Sequence, residues 1–420
     1  MPPSQSDPQS TLSLVAVRLE RFKAAFKPDP IRLGGFNVVI GRNGTGKSTL
    51  LEALQWLDGT IRQDARAASE RYHGVHDLIN LRSRTQIPYF CIDISWREPV
   101  AETSVSYTLK VRESEDGATP AVMSERLSVK KDGGDPVDVV RSVDDRGRRV
   151  VSFDDPGAGE RGGGLVWFTE PDRLALARVG ASVSDADNQA SSPAGFLGRL
   201  QDFWDRAVFL RLSPNRLSRG SHARRRSFEP LLDEEGQNLP ALLNELDQDQ
   251  TKDLIAAIRR ILPDIRGVEV SQPTMGRDER VFYSLKERMP YRGRTGRYQL
   301  AVPAWMLSEG TRRITAILAL LQRDPPPSLL CIEEIENGLD PWTVIAVLEQ
   351  LQSAAERGVQ VIVTTHSPWL LDSVRVQDIL EVTRSEGETR YARFADREAV
   401  KRYQGRVPPG SIYVMEGNRE

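Results

Sequence analysis

A glycine-rich stretch near the start of the chain has the residue types of a phosphate-binding loop. Residues 41–49 read Gly-Arg-Asn-Gly-Thr-Gly-Lys-Ser-Thr and fit the pattern G-x-x-x-x-G-K-[S/T]. Glycines let successive backbone N–H groups turn inward around a phosphate, and the start of a helix adds partial positive charge. In such a loop Lys47 reaches the β and γ phosphates and the Ser48 hydroxyl binds Mg²⁺. The sequence therefore predicts a nucleotide site that also uses Asn43, Gly44, Thr45, Gly46 and Thr49.

Two adjacent carboxylates follow an apolar run in the C-terminal half. Residues 329–332, Leu-Leu-Cys-Ile, have the composition of a buried strand, and Glu333 and Glu334 stand at its carboxyl end. Ligands of α/β sheets bind at that end. Paired carboxylates repel each other unless a cation neutralises them, and Mg²⁺ beside a phosphate loop is that cation. We expect Glu333 to orient the metal through water and Glu334 to align or deprotonate an attacking water. The alternative is a solvated strand end without chemistry.

A histidine closes the next buried strand of the sequence. Residues 359–365 form an apolar, β-branched run that ends at His366. A lone histidine is normally a structural residue, but at this strand end it suits a sensor of the γ-phosphate. Further upstream, Ser308 is predicted as the N-cap of an amphipathic helix. Taken alone, that helix start indicates only a capped helix.

The flanking segments predict the elements that must position these residues. Residues 36–40 form a short apolar run typical of a buried strand, and residues 48–57 carry leucines at helical spacing. The phosphate loop therefore has the strand–loop–helix context that it requires. Residues 12–18 and 89–96 predict strands of an antiparallel piece beside this sheet. The predicted fold class is α/β.

The length of 420 residues exceeds what one compact core usually holds, so we expect two or three lobes. The predicted organisation is a disordered polar tail, the N-terminal part of a nucleotide-binding head, a β-rich insertion, a helical and β region that contains an Arg-rich segment, and the C-terminal part of the head. The corresponding ranges are 1–11, 12–97, 98–164, 165–300 and 301–420.

Composition excludes some classes of function and leaves one question open. The 57 basic and 59 acidic residues nearly cancel, so the global charge demands neither nucleic acid nor a membrane. Cys91 and Cys331 lie in apolar runs and are predicted to be buried thiols in a reducing cytosol. With no leader peptide and no apolar run of membrane-spanning length, we expect a cytoplasmic protein without membrane contact. The segment 211–226 is rich in arginine, and both a nucleic-acid contact and an exposed loop explain it.

The order of these motifs resembles that of the ABC-type ATPases, within the RecF/SMC-like branch often labelled AAA family ATPases. The resemblance covers roughly residues 12–97 and 205–415. It is carried by the phosphate loop and by Phe22-Lys23, Gly236-Gln237-Asn238-Leu239, Ser308-Glu309-Gly310-Thr311, Ile332-Glu333-Glu334-Ile335-Glu336-Asn337-Gly338-Leu339 and Thr364-Thr365-His366-Ser367-Pro368.

The resemblance implies an ATPase head that uses ATP and Mg²⁺ and forms a homodimer around ATP. In such a dimer Ser308 and Gly310 bind the γ-phosphate of the ATP held by the other head, and Asp340 signals between heads. It also implies work in DNA repair or anti-phage defence through a separate effector protein, for example a nuclease. The alternative is a slowly hydrolysing sensor or scaffold with no role at nucleic acid.

Three positions depart from the usual pattern of that branch. Glu309 stands where glycine is usual, Glu333 where aspartate is usual, and Asp340 where many members have histidine. The glutamine that usually senses Mg²⁺ has only Gln86 as a candidate. These departures bear on affinity and turnover.

Overall fold

The computed structural model describes residues 12–82, 88–98, 103–114, 119–131, 133–145, 148–153, 165–177, 193–225, 229–272, 280–289, 298–403 and 405–417. The chain divides into two compact units, the first comprising residues 1–205 and 375–420 and the second residues 206–374. No helix within the described ranges is long and apolar enough to cross a membrane.

An eight-stranded antiparallel sheet forms much of the first unit. Numbered along the whole chain, its strands are β1 (Ser13–Glu20), β2 (Ile31–Arg32), β4 (Tyr89–Glu98), β5 (Thr103–Glu113), β6 (Pro120–Lys131), β7 (Val137–Asp145), β8 (Arg148–Phe153) and β9 (Leu165–Thr169). They lie in the order β2-β1-β4-β5-β6-β7-β8-β9. In β5 the buried positions Val105, Tyr107, Leu109 and Val111 alternate with more exposed ones, as expected of a strand with one covered face. The strands of the predicted insertion thus continue the sheet that β1 and β4 begin.

A second group of strands in the first unit carries the phosphate loop. Strand β3 (Phe36–Gly41) is buried along its whole length, lies parallel to β16 (Ile379–Ser385), and β16 pairs antiparallel with β17 (Glu388–Arg393). The helices of this unit are α1 (Lys47–Arg62), α2 (Ala65–Glu70), α3 (Pro193–Asp205), α9 (Glu398–Tyr403) and α10 (Pro409–Gly417).

Aromatic side chains hold α1 and α3 against strand β4. Trp56 of α1 meets Phe90 edge to face, with ring centroids 5.0 Å apart. Trp96 makes the same kind of contact with Phe203 and Trp204 of α3, at 6.3 and 6.2 Å. Each pair adds roughly 0.5–1.5 kcal/mol to the effect of burial. The helix that begins at the phosphate loop is therefore fixed on its inner face.

The second unit contains a parallel group of strands and a small antiparallel meander. Strands β10 (Ala207–Leu210), β14 (Leu329–Ile332) and β15 (Gln360–Thr365) are fully buried and pair in that order. The meander consists of β11 (Ile265–Ser271), β12 (Phe282–Arg288) and β13 (Gln299–Pro303). The helices are α4 (Pro214–Leu217), α5 (Leu239–Glu245), α6 (Gln248–Ile261), α7 (Glu309–Leu321) and α8 (Pro341–Glu356).

Both cysteines are buried free thiols, as the sequence predicts. Burial is the first cause of the raised pKa of Cys91, about 12, and the Asp93 carboxylate raises it further. The Cys91 thiol therefore stays protonated and unreactive at neutral pH.

Candidate functional site

The phosphate loop (Gly41–Thr49) has a shape that only its glycines allow. A Cβ atom at Gly41 would lie 2.3 Å from the carbonyl oxygen of Val382 in β16, so any side chain there would displace backbone. Gly44 and Gly46 have φ of 75° and 105°, in the left-handed region that disfavours other residues. The chain can therefore leave β3, turn tightly and enter α1 within a few residues.

The hairpin of β16 and β17 supports this loop from one side, and sequence reasoning missed that contribution. The Thr389 hydroxyl donates to the Thr45 carbonyl at 2.8 Å, and the Tyr391 hydroxyl donates to the Gly46 carbonyl at 2.8 Å. Burial, with a smaller effect of the Glu52 carboxylate, raises the pKa of Tyr391, so the phenol remains a donor. Arg384 donates to the Gly44 carbonyl at 3.2 Å. These residues lie more than 300 positions away in sequence, and their strands show no local motif.

The start of helix α1 fits a phosphate group. Its N-cap, Gly46, supplies no side chain, so the first backbone N–H groups of the helix have no side-chain cap. Lys47 is buried, and its Nζ donates to the carbonyl oxygens of Gly41 and Arg42 at 2.7 and 2.9 Å. The Ser48 side chain is exposed beside it. An ammonium, a hydroxyl and a helix start without a side-chain cap suit a phosphate with bound Mg²⁺.

Glu333 and Glu334 follow β14 directly, but they face different partners. The Glu333 backbone N–H continues the parallel pairing by donating to the Leu210 carbonyl at 2.8 Å. Its carboxylate lies 3.8 Å from Arg211 Nε and is mostly covered, with 17% of the side chain exposed. Arg211 follows β10 as Glu333 follows β14, so the register of the two strands explains this ion pair.

Glu334 lies just after β14, and its backbone is in the left-handed conformation. Its φ of +48° is left-handed, a strained conformation that costs roughly 1–2 kcal/mol in a residue other than glycine. Its backbone N–H donates to the Thr364 hydroxyl at 2.9 Å. Its Oε1 lies 3.3 Å from His366 Nε2, and its Oε2 accepts a hydrogen bond from Asn337 Nδ2. The structure thus brings the predicted base and the predicted sensor into contact.

Glu336 fixes the other side of this contact. Its Oε1 accepts from the His366 backbone N–H at 2.6 Å, while its Oε2 is buried without a hydrogen-bond partner among the described residues. The Thr364 hydroxyl bonds the backbone of Glu334 and the Glu336 carboxylate bonds the backbone of His366, so the ends of β14 and β15 hold each other reciprocally. In the sequence, Glu336, Asn337 and Thr364 were identified only as members of motifs, and no role was predicted for them. The available signal was that all three polar residues lie within five positions of the carboxyl end of β14 or β15.

A cavity of about 650 Å³ opens beside the two carboxylates. Glu333, Glu334, Asn337, Arg211 and Arg313 contribute to its wall. Among the described residues, no group of three or more His, Cys, Asp or Glu side chains could hold a metal ion. Glu333 supplies a carboxylate at this cavity, and Mg²⁺ beside a nucleotide takes most of its ligands from water and phosphate rather than from protein side chains.

Ser308 and Asp340 are both helix N-caps. Ser308 Oγ accepts from the Thr311 N–H at 3.1 Å, as predicted. Asp340 accepts from the N–H groups of Trp342 and Thr343 at 3.1 and 3.0 Å, and its hydrogen bond from the Thr343 hydroxyl is the main reason for its lowered pKa. Gly310 has no room for a side chain, because a Cβ would lie 2.8 Å from the Gly338 carbonyl oxygen.

The predicted site residues fall into two groups along the division of the chain. The phosphate loop belongs to the first unit, and the second unit contains Ser308, Gly310, Glu333, Glu334, Asp340 and His366. Gln86, the candidate Mg²⁺ sensor, lies outside the described residues.

Comparison with known proteins identifies the class of protein. The model of the family described as "AAA domain, putative AbiEii toxin, Type IV TA system" matches residues 36–372. The structure is similar to an SMC head bound to the C-winged helix domain of ScpA, with TM-score 0.52, 14% identity, and 92% of this chain and 99% of that chain covered. A search of curated proteins found no match.

Two further SMC heads show weaker similarity. The head domain from Thermotoga maritima has TM-score 0.44 and 14% identity, over 90% of this chain and 98% of that chain. A head with an extended coiled coil, bound to the C-terminal domain of ScpA and derived from Pyrococcus furiosus, has TM-score 0.45 and 11% identity, over 97% and 100%.

The chain therefore belongs to this AAA ATPase family, because the family model spans most of its length. Its fold is the mixed α/β fold of an SMC-type ATPase head. The predicted fold class and family resemblance are confirmed.

Proposed function

We propose that the protein hydrolyses ATP with Mg²⁺ and that Glu334 is the residue that activates the attacking water. The observation that carries the proposal is the position of the Glu334 carboxylate, held between His366 and Asn337 at the mouth of a cavity. A carboxylate fixed by two partners, on a backbone strained toward that position, suits a group that must align one water molecule. Membership of an ATPase family supports the same chemistry.

In this proposal different residues bind the phosphates, hold the metal ion and activate the water. Lys47 and the open amides of α1 neutralise the β and γ phosphates, Ser48 and Glu333 hold Mg²⁺, and His366 contacts the γ-phosphate. Mg²⁺, when bound, supplies positive charge to the phosphate oxygens. Glu334 aligns a water molecule for in-line attack on the γ-phosphorus and accepts a proton from that water. The bond between the γ-phosphorus and the oxygen that bridges to the β-phosphate breaks, and ADP leaves with that oxygen. Positioning and charge neutralisation account for the rate.

We further propose that two copies pair around ATP, with Ser308, Gly310 and Asp340 at the contact. Ser308 and Asp340 are exposed N-caps of α7 and α8, and the hydroxyl of Ser308 together with the first backbone N–H groups of α7 suits phosphate oxygens. An ATP-driven change of pairing needs an attached protein to do work, so we propose a separate effector. One similar SMC head is described as bound to the C-winged helix domain of ScpA, and the family description names a Type IV TA system. Both support a partner, and the second supports genome defence over repair.

The test is phosphate release by purified protein with Mg-ATP, with EDTA as a control. Wild-type release that disappears with EDTA and in the Glu334→Gln variant supports the proposal. Absence of release above the Glu334→Gln background contradicts it. Turnover stimulated by duplex DNA favours a nucleic-acid-linked ATPase, whereas slow turnover that ignores DNA favours the sensor or scaffold.

The Arg-rich segment 211–226 gives the DNA question a local test. Arg211, Arg216 and Arg225 form ion pairs with Glu333, Glu235 and Glu245, at 3.8, 3.1 and 3.1 Å, and these pairs favour a structural role. Arg219 and Arg224 are exposed, while Arg226 lies outside the described residues. If this segment contacts phosphates, Arg219→Ala and Arg224→Ala each weaken duplex binding at all sequences and reduce the salt slope by about one unit. Duplex affinity equal to wild type at two salt concentrations assigns the segment to an exposed loop.

A further inference from the structure

Glu309 is an acid at the start of helix α7, and the structure shows which groups its carboxylate contacts. It is the first residue of α7, and its Oε1 accepts from Arg313 Nε, one helical turn later, at 3.1 Å. The Arg313 side chain is only 10% exposed, whereas that of Glu309 is 40% exposed. The carboxylate is thus neutralised by a buried guanidinium of its own helix.

The same carboxylate packs against the loop that carries the catalytic groups. A Cβ built on Gly338 would lie 2.6 Å from both Cδ and Oε1 of Glu309. Gly338 also has φ of +69°, so its glycine is needed for conformation and for space. The next residue, Gly310, lies equally close, because its own Cβ would lie 2.8 Å from the Gly338 carbonyl oxygen. Two consecutive residues at the start of α7 therefore touch one peptide of the loop.

Gly338 lies in the middle of the carboxylate loop (Glu333–Asp340), which is anchored at both ends. At one end the Thr364 hydroxyl accepts from the Glu334 N–H, and at the other Asp340 caps α8. The middle of the loop has Glu309 as its packing partner from α7. A displacement of the start of α7 therefore reaches the segment between Glu334 and Asp340 directly.

We propose that Glu309 is a positioning residue that couples the start of α7 to the carboxylate loop through Gly338. Arg313 holds the Glu309 carboxylate, and the carboxylate holds the Gly338 turn, so that the Glu334 side chain keeps its contacts with His366 and Asn337. The coupling rests on the proposed function, because it links the segment proposed to bind a second copy's nucleotide to the proposed base. It gives pairing of two copies a route to the hydrolytic group of each chain.

The first experiment uses hydrogen exchange of the free protein and needs no ATPase activity. Glu309→Ala removes the contact and is expected to raise exchange rates in a peptide covering residues 333–343 by about tenfold. Glu309→Gln keeps the shape and the acceptor oxygen and is expected to stay within about twofold of wild type. The control is Glu349→Ala, at an exposed position of α8. Unchanged exchange in Glu309→Ala, or equal acceleration in Glu349→Ala, overturns the coupling.

The second experiment combines Glu309→Ala with Gly338→Ala in a double-mutant cycle. The left-handed φ at position 338 makes alanine unfavourable both in wild-type protein and in Glu309→Ala. The clash with the carboxylate, in contrast, exists only when Glu309 is present. We therefore expect Gly338→Ala to accelerate exchange of this peptide several-fold more in the wild-type background than in Glu309→Ala. Additive effects overturn the proposal.

Steady-state kinetics provide the third measurement. Glu309→Ala is expected to lower kcat about three- to tenfold with KM for ATP within about twofold, and Glu309→Gln to restore most of kcat. A rise in KM with unchanged kcat contradicts a positioning role at Glu334. If wild-type protein hydrolyses no ATP, the proposed function fails, while the exchange results still decide whether the contact holds the loop.

Discussion

The phosphate loop and the carboxylate loop are shaped by different forces. In the phosphate loop, backbone sterics dominate: Gly41 has no space for a Cβ, and Gly44 and Gly46 have positive φ. In the carboxylate loop, apart from the turn at Gly338, side chains hold the backbone: Thr364 bonds Glu334 and Glu336 bonds His366. A loop of the first kind changes in large steps when a residue is substituted. A loop held by individual hydrogen bonds can be loosened one bond at a time, and its substitutions should therefore give graded effects.

The largest effect is expected from Lys47→Ala. The Lys47 ammonium is the buried cation of the phosphate loop, whereas the other cation of the loop, Arg42, is exposed. We expect affinity for a fluorescent ATP analogue to fall by at least about a hundredfold, equivalent to ~3 kcal/mol, with hydrolysis lost. Titration by fluorescence anisotropy measures it, and Lys27→Ala, at an exposed position of the same unit, is the control. Wild-type affinity in Lys47→Ala would exclude this loop as the phosphate site.

Glu334→Gln should impair hydrolysis, which depends on the carboxylate loop, and leave ATP binding by the phosphate loop nearly unchanged. The phosphate loop is untouched, so ATP binding is expected to stay within about threefold, while hydrolysis falls by about 10²–10⁴ because an amide cannot accept the proton. Since ATP is then retained, the variant is expected to accumulate as a dimer in Mg-ATP.

Light scattering coupled to size-exclusion chromatography measures the mass of that species. A strictly monomeric variant at saturating Mg-ATP argues against pairing around ATP. Unchanged turnover moves the catalytic role to another residue, with Glu333 as the first candidate.

Glu336 tests the graded behaviour of the carboxylate loop. Glu336→Ala removes the acceptor of the His366 N–H and is expected to lower kcat about tenfold, equivalent to ~1.4 kcal/mol, with little change in KM. Glu336→Gln keeps an acceptor oxygen and should remain within about threefold of wild type. If the two variants are equally impaired, the negative charge of Glu336 matters rather than its hydrogen bond.

The last prediction concerns the free energy of unfolding rather than binding or turnover, and it involves the helix that follows the phosphate loop. Asp58 of α1 is paired with Arg62 at 2.9 Å, yet burial dominates and raises its pKa to about 6 from 3.8. The folded state therefore favours the protonated acid, so this group stabilises the fold most below pH 3.8 and loses that contribution as the pH rises to about 6. We expect the free energy of unfolding to fall by ~1–3 kcal/mol across that window.

Urea unfolding at several pH values checks this behaviour. In Asp58→Asn the titration is absent, so the curve between pH 4 and 6 should be flatter than that of wild type. Asp29→Asn, at an exposed position, should follow the wild-type slope. A wild-type slope in Asp58→Asn would show that Asp58 titrates normally in the folded state.

The sequence alone determined the local features of this protein. The phosphate loop, the N-cap at Ser308, the buried strands and the acidic pair after β14 are each encoded within about ten consecutive residues, because helices, strands and tight turns follow from short-range sterics and periodicity. The contact between Glu334 and His366 can also be inferred from the sequence, since the carboxyl ends of neighbouring parallel strands meet at one edge of the sheet.

The tertiary structure decided which side chains hold these features in place. Thr389 and Tyr391 support a loop more than 300 residues earlier in the chain, and Arg211 pairs with Glu333 because β10 lies beside β14. Glu309 lies between Arg313, four residues later in its own helix, and Gly338 of the carboxylate loop. Such contacts depend on strand order and helix packing, which join residues far apart in the chain. No local pattern records them, because the energy that fixes each one comes from surfaces that meet only after folding.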